Sequence, residues 1–398
     1  MSELKKYERF FLPSIIVGYY YHLIDKDIYK YIENNQRVIK EKNYKFGIII
    51  FQILVYYFSV IFFTNVLRPK ISKNLYTIIL LYLCYEPSIL QWHSSLWSES
   101  FFLSLQLFLM SLIFKGSTKS INNIFIGLIL GLLLCQRSVS FGYAFIVIFF
   151  YIIFQKNLKS LMLITFSFLI VISFLIFNNF KKTNAFYLLP THHQFYSYYH
   201  YFGASLLADR LNLTKYEAAN VFEKNETKWR NDNNINLENK ADLLKNIDYR
   251  NKIFFEEVIK NPIFFMKKLI KKTATMFILD PLWVHESFYV DKTDPKAIND
   301  PKSYYNKNIH YKITYSIVIY FFAIIGLFKF LKDFFLSKKK SDYSKFLIFN
   351  ILSVLYFAAI SGLWGNPKYL VPCMISICLF FSSGLTISSK YLQNLVKN

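Results

Sequence analysis

Apolar residues in this chain fall in repeated runs of roughly 15–20, about the length a helix needs to cross the hydrocarbon core of a bilayer. The runs cover 10–23, 46–67, 75–90, 101–114, 124–135, 139–154, 161–177, 313–331, 346–363 and 369–387. None shows the strict alternation of a barrel strand. A backbone in lipid must also satisfy its own hydrogen bonds, so each run is expected to be a helix. The predicted fold is therefore all-α, a polytopic transmembrane helical bundle of about ten spans with one large non-cytoplasmic helical loop. Three regions follow: 1–177, an N-terminal transmembrane helical region; 178–312, a large extracytoplasmic loop; and 313–398, the C-terminal transmembrane helices. No internal repeat or low-complexity linker interrupts them.

Charge sets the orientation. The formal net charge is +22, which by itself would fit a nucleic-acid binder. The lysines, however, cluster at the ends of apolar runs, where they hold short loops on the cytoplasmic side and meet anionic lipid. No nucleic-acid partner is expected; membrane lipid is. Lys338, Lys339 and Lys340 make their loop cytoplasmic, and 68–73, 115–119, 156–159 and the C-terminal tail follow. The loop 91–98 has no Lys or Arg and falls on the outer side, together with 365–368 and the large loop. One loop, 25–45, carries six Lys and Arg yet must be outside if 10–23 spans. The basic start before that run, with no small-residue cleavage signal, reads as a retained first span. Cys84, Cys135, Cys373 and Cys378 lie in or beside apolar runs without a CxxC pair, which gives neither a disulfide framework nor a zinc site.

Within the large loop, 205–230 and 240–260 read as helices. Asn261-Pro262 is a break with Pro at the first position of the next helix. That helix, 263–278, interleaves Phe264, Phe265, Leu269 and Ile270 with Lys267, Lys268, Lys271 and Lys272. The pattern fits a helix in the membrane interface, or equally a surface helix of a small outer subdomain.

A few polar residues gather on the predicted outer face. Asp25 and Asp27 follow the first run, and two carboxylates one residue apart can share a divalent cation such as Mg or Mn, or divide into ligand and base. They equally make a solvated acidic turn. Glu99 opens a helix at the membrane edge, where a carboxylate serves either as a cap to the helix N-terminus or as a functional acid among apolar spans. Arg137 sits in a short outer turn against the positive-inside tendency; a phosphate could supply its counter-charge, or it snorkels to headgroups. Lys368 and Tyr369 stand just before the last run on the same side, with the same two readings. His192, His193 and His200 lie in the outer loop, as metal or sugar ligands or simply solvated. Gly-x-Ser-x-Gly, His-Glu-x-x-His and phosphate-binding Gly-rich loops are missing, which argues against membrane proteases, lipases and nucleotide-driven pumps.

Several stretches together resemble the integral-membrane C-type glycosyltransferases, notably the dolichyl-phosphate-mannose-dependent mannosyltransferases. They are Glu86-Pro87-Ser88-Ile89, Trp97-Ser98-Glu99-Ser100-Phe101-Phe102, Gln136-Arg137-Ser138, Asn261-Pro262 and Gly365-Asn366-Pro367-Lys368-Tyr369-Leu370-Val371-Pro372. The last is similar to a Gly-x-x-Arg-Tyr-x-x-Pro pattern with Lys in place of Arg, which keeps the charge but loses the bidentate fork. The first outer loop is shorter than is common in that superfamily. The resemblance implies a transferase using a polyprenyl-phosphate sugar donor and a lipid, glycan or protein acceptor. Asp27 would be the base, with Asp25 supporting it or a metal and Glu99 ordering the acceptor or a metal. Arg137, Lys368 and Tyr369 would hold the donor phosphate.

Two other classes compete. An O-antigen-type polymerase or ligase also has about ten spans and a large outer loop, but relies on Arg and His there. A lipid-linked-sugar flippase or other transporter would carry paired polar groups at mid-membrane, and runs such as 46–67 and 161–177 hold nothing ionisable. The Lys, Asn, Ile, Phe and Tyr bias fits an AT-rich genome, which favours a bacterial plasma membrane over the endoplasmic reticulum.

Overall fold

A computed structural model describes residues 41–90, 92–93, 98–116, 119–137, 139–183, 202–237, 239–279, 309–337, 341–364 and 367–397. The expected first span, Asp25, Asp27, and the loop histidines His192, His193 and His200 lie outside these residues. Among the described residues the regular structure is entirely helical, with no strand. Five of the described helices are long and apolar enough to cross a membrane, with spans Gly47–Lys70, Leu158–Lys181, Ile313–Leu336, Asp342–Ile360 and Leu370–Leu395. Ser120–Gln136 and Ser140–Gln155 are shorter apolar helices. The chain divides into two compact units.

The apolar unit comprises the described residues within 41–171, 277–358 and 367–397. Its helices begin with α1 (Glu41–Leu67), α2 (Lys73–Tyr85), the single turn α3 (Pro87–Leu90), α4 (Ser98–Lys115), α5 (Ser120–Gln136) and α6 (Ser140–Phe150). The predicted single run 75–90 is thus broken, because Glu86 leaves the helix in an extended conformation and Pro87 supplies no N–H to continue it. α6 closes in a π-turn, Tyr151–Gln155, that ends on Lys156 with φ 48°. The helix α7 (Leu158–Thr183) begins in this unit, and α12 (Ile309–Leu336), α13 (Asp342–Trp364) and α14 (Met374–Lys397) lie largely in it. A 3-10 stretch, Pro367–Cys373, precedes α14.

Small residues let these helices touch backbone to backbone. Gly326 of α12 lies against the carbonyl of Phe380 in α14, and Gly384 of α14 lies against the carbonyl of Phe322 in α12. A Cβ at either glycine would collide with main chain, so the crossing depends on both. Buried side-chain bonds add to the apolar packing: Ser376 Oγ to Asn350 at 2.8 Å, Asn123 Nδ2 to Ser160 at 3.0 Å, and Gln106 Nε2 to the Pro372 carbonyl at 2.7 Å. The outward faces carry large exposed apolar side chains, among them Leu54, Phe58, Phe166, Phe321 and Phe328. An outside this apolar suits lipid rather than water.

The polar unit comprises described residues within Ile172–Met276 and Ala359–Asn366. Its own helices are α8 (Ala204–Leu211), α9 (Lys215–Asp232), α10 (Lys240–Lys260) and most of α11 (Pro262–Leu279). The predicted helix over 205–230 is two helices instead. Asn212 turns left-handed at φ 54°, and Thr214 starts afresh by accepting from the Glu217 N–H while the Glu217 carboxylate accepts the Thr214 N–H. Phe202, Leu206 and Phe254 form the apolar centre, with Phe265 and Leu269 of α11 packed on it. Glu226 is a buried hub: Arg250 donates to both of its oxygens, at 2.6 and 3.0 Å, and Asn246 donates at 3.0 Å.

Candidate functional site

Short connections fix which helix ends meet in the apolar unit. The α4–α5 link keeps these helices adjacent and antiparallel, so the start of α4 faces the end of α5. Glu99 stands in the first turn of α4, where a carboxylate is favoured by the unpaired N–H groups of the helix start. Arg137 caps α5 in an extended conformation, φ −151° and ψ 126°, while its N–H still donates to the Leu133 carbonyl at 2.8 Å. Two residues assigned from sequence to the same face are thereby brought together: Arg137 Nη1 lies 3.4 Å from Glu99 Oε1, with side chains only 5% and 2% exposed. The guanidinium also lies 5.8 Å from the centre of the Phe102 ring.

That separation matters. It is an ionic contact, longer than the roughly 2.7–3.2 Å of a well-formed N–H···O bond. Arginine carries five N–H donors, more than one carboxylate can take. The arrangement keeps a cation at a helix-end site while its charge is balanced.

Two more buried polar groups, His93 and Glu86, flank the short helix α3. His93, in the turn after α3, is 3% exposed; its Nδ1 lies 2.6 Å from Ser100 Oγ, and its ring centre lies 4.0 Å from that of Tyr56 in α1. Its Nε2 meets no hydrogen-bond partner among the described residues. Glu86, quoted from sequence only as part of a pattern, is buried and accepts the Tyr315 hydroxyl of α12. A narrow cleft beside it is lined by Tyr82, Glu86, Tyr315, Ser316, Tyr320 and Met374. An acid in the middle of an apolar run was the available signal for Glu86. For His93 it was an imidazole in a short loop with no charged residue.

Lys368 and Tyr369 lie in the backbone of the 3-10 stretch, which packs on α4 and is tied to it by the Gln106–Pro372 bond. Among the described residues no three His, Cys, Asp or Glu side chains gather as a metal would require. Of the residues offered for a divalent cation, Asp25, Asp27, His192, His193 and His200 lie outside those residues, and Glu99 is paired with Arg137. Comparison with protein-family models, with curated proteins and with solved structures finds no match to this chain.

Proposed function

We propose that the chain is a multi-pass glycosyltransferase of a bacterial plasma membrane, with about ten spans. It would move a sugar from a polyprenyl-phosphate donor to a lipid, glycan or protein acceptor on the extracytoplasmic face. The observation that carries this reading is the buried Glu99–Arg137 pair at converging helix ends. Charged groups among apolar helices are costly and are kept where they act on something.

In the reaction, an acceptor hydroxyl attacks the anomeric carbon and the bond from that carbon to the phosphate oxygen breaks. The polyprenyl phosphate leaves with the electron pair, and a carboxylate takes the hydroxyl proton. Arg137 stabilises charge developing on the leaving phosphate, Lys368 and Tyr369 hold its far side, and Glu99 holds Arg137 in place and orders the acceptor. Asp27 is the base, supported by Asp25. An O-antigen-type polymerase or ligase is the second reading, favoured by one observation: a buried histidine, His93, one hydrogen bond from the residue after Glu99.

Membranes containing the protein, incubated with defined polyprenyl-phosphate sugars and a panel of acceptors, test the proposal. Sugar transfer is expected with at least one donor, and its loss in Asp27→Asn and Arg137→Gln. No transfer from any donor to any acceptor would sink the reading. Transfer of intact lipid-linked oligosaccharide, unaffected by Asp27→Asn, would favour the polymerase.

A further inference from the structure

The helix α11 has two faces of different character. Its inner face puts Phe265 and Leu269 on the Phe202–Leu206–Phe254 cluster. The lysines on that side are used up inside the polar unit. Lys268 Nζ donates to the Ser205 carbonyl at 2.6 Å and meets Asp209 at 2.7 Å, and Lys272 Nζ lies 4.6 Å from the centre of the Phe202 ring. The outer face, one turn apart at each step, presents Ile263, Met266 and Ile270, which are 68%, 50% and 62% exposed. Phe264 and the exposed Lys267 and Lys271 flank that stripe. Across the Asn261-Pro262 corner, Phe255 and Ile259 of α10 are also exposed. No acidic residue occurs anywhere in α11.

One further observation says what covers this face. Its charge is of one sign, which complements lipid phosphate and not an average protein surface. We infer that the outer face of α11 docks on the bilayer, with Ile263, Met266 and Ile270 among the acyl chains and Lys267 and Lys271 on anionic headgroups. The inference rests on the membrane reading but on none of the proposed chemistry.

Full-length protein carrying Met266→Trp, in nanodiscs of brominated phosphatidylcholine and phosphatidylglycerol, provides the test. Relative to the parent chain, the added tryptophan emission is expected to be quenched by bromine near the headgroups and shielded from aqueous acrylamide. Tyr216→Trp, at an exposed position of α9, is the control and should behave the opposite way. Lys267→Gln with Lys271→Gln should reduce the bromine quenching in discs with phosphatidylglycerol and leave it unchanged in discs of phosphatidylcholine alone. Quenching by acrylamide alone would place the face in water and overturn the inference. Protection from both quenchers would mean protein covers it and would overturn it equally. Ile270→Trp repeats the measurement if Met266→Trp does not fold. A parent chain that fails to enter nanodiscs refutes the membrane reading itself, whereas entry without quenching refutes only the docking.

Discussion

Replacing Glu99 with Gln removes one charge from the helix-end site and almost nothing else. The amide keeps the shape of the carboxylate and an oxygen that accepts a hydrogen bond. The lost interaction spans 3.4 Å between side chains that are 2% and 5% exposed. At an effective dielectric of 20, two unit charges at that distance attract by about 5 kcal/mol. Much of that attraction offsets the desolvation of the two ions, but a single substitution leaves Arg137 buried without this partner, and such breaks cost about 3–5 kcal/mol. A loss of that size is a large share of a typical total stability of about 5–15 kcal/mol. Reversible unfolding in mixed detergent, followed by helical circular dichroism, would read it directly. Arg137→Met and the double variant complete a mutant cycle, in which the double variant should recover part of the loss because neither charge is then buried without its opposite. Glu99→Gln within about 0.5 kcal/mol of the parent would refute the claim that these charges depend on one another.

Three more outcomes are expected. Gly384→Leu should separate α12 from α14, since any Cβ there collides with the Phe322 carbonyl; a lower melting temperature and easier proteolysis of the C-terminal helices would report it. Thr214→Ala should cost the polar unit about 1 kcal/mol by removing the α9 cap, as measured by hydrogen exchange at the start of that helix. Burial, with smaller contributions from Lys215 and Lys268, pushes the Lys272 ammonium down from 10.5 to about 8. Between those two values the unfolded chain holds a proton that the folded unit has lost, so stability rises with pH across that window. The parent minus Lys272→Met difference in unfolding stability should show that rise, and a flat difference would contradict it.

The helices of the polar unit were the most legible part of the chain. The expected 240–260 is α10, and 263–278 lies within α11, because Asn261-Pro262 punctuates an otherwise continuous helical pattern. Local chemistry can also mislead. The run 205–230 keeps its periodicity through Asn212, and only the Thr214–Glu217 capping box, a signal present in the sequence, reveals the break. At the site, Glu99 and Arg137 were legible singly, as charges out of place beside apolar runs. Their contact was not, since it depends on how α4 and α5 turn about their axes. Glu86 and Tyr315 are 229 residues apart, and nothing local to either announces the other. His93 hid for a different reason: it is buried against the tilted ring of Tyr56, a partner from another helix.

The winding of the segment Pro367–Cys373 has a mechanical consequence. A 3-10 turn rises about 2.0 Å per residue against about 1.5 Å in an α-helix, so these seven residues reach roughly 3.5 Å farther than the same length of α14. Pro372 has no N–H to return to the carbonyl of Lys368, so the α-helical bonding of α14 does not extend back through it. Gln106 clamps the same proline from the side by its carbonyl. The segment is thus a spacer of set length, fixed to α4 at one end, with Lys368 near the other. Shortening or lengthening it by one residue would change how far the backbone at Lys368 stands from the Gln106 clamp.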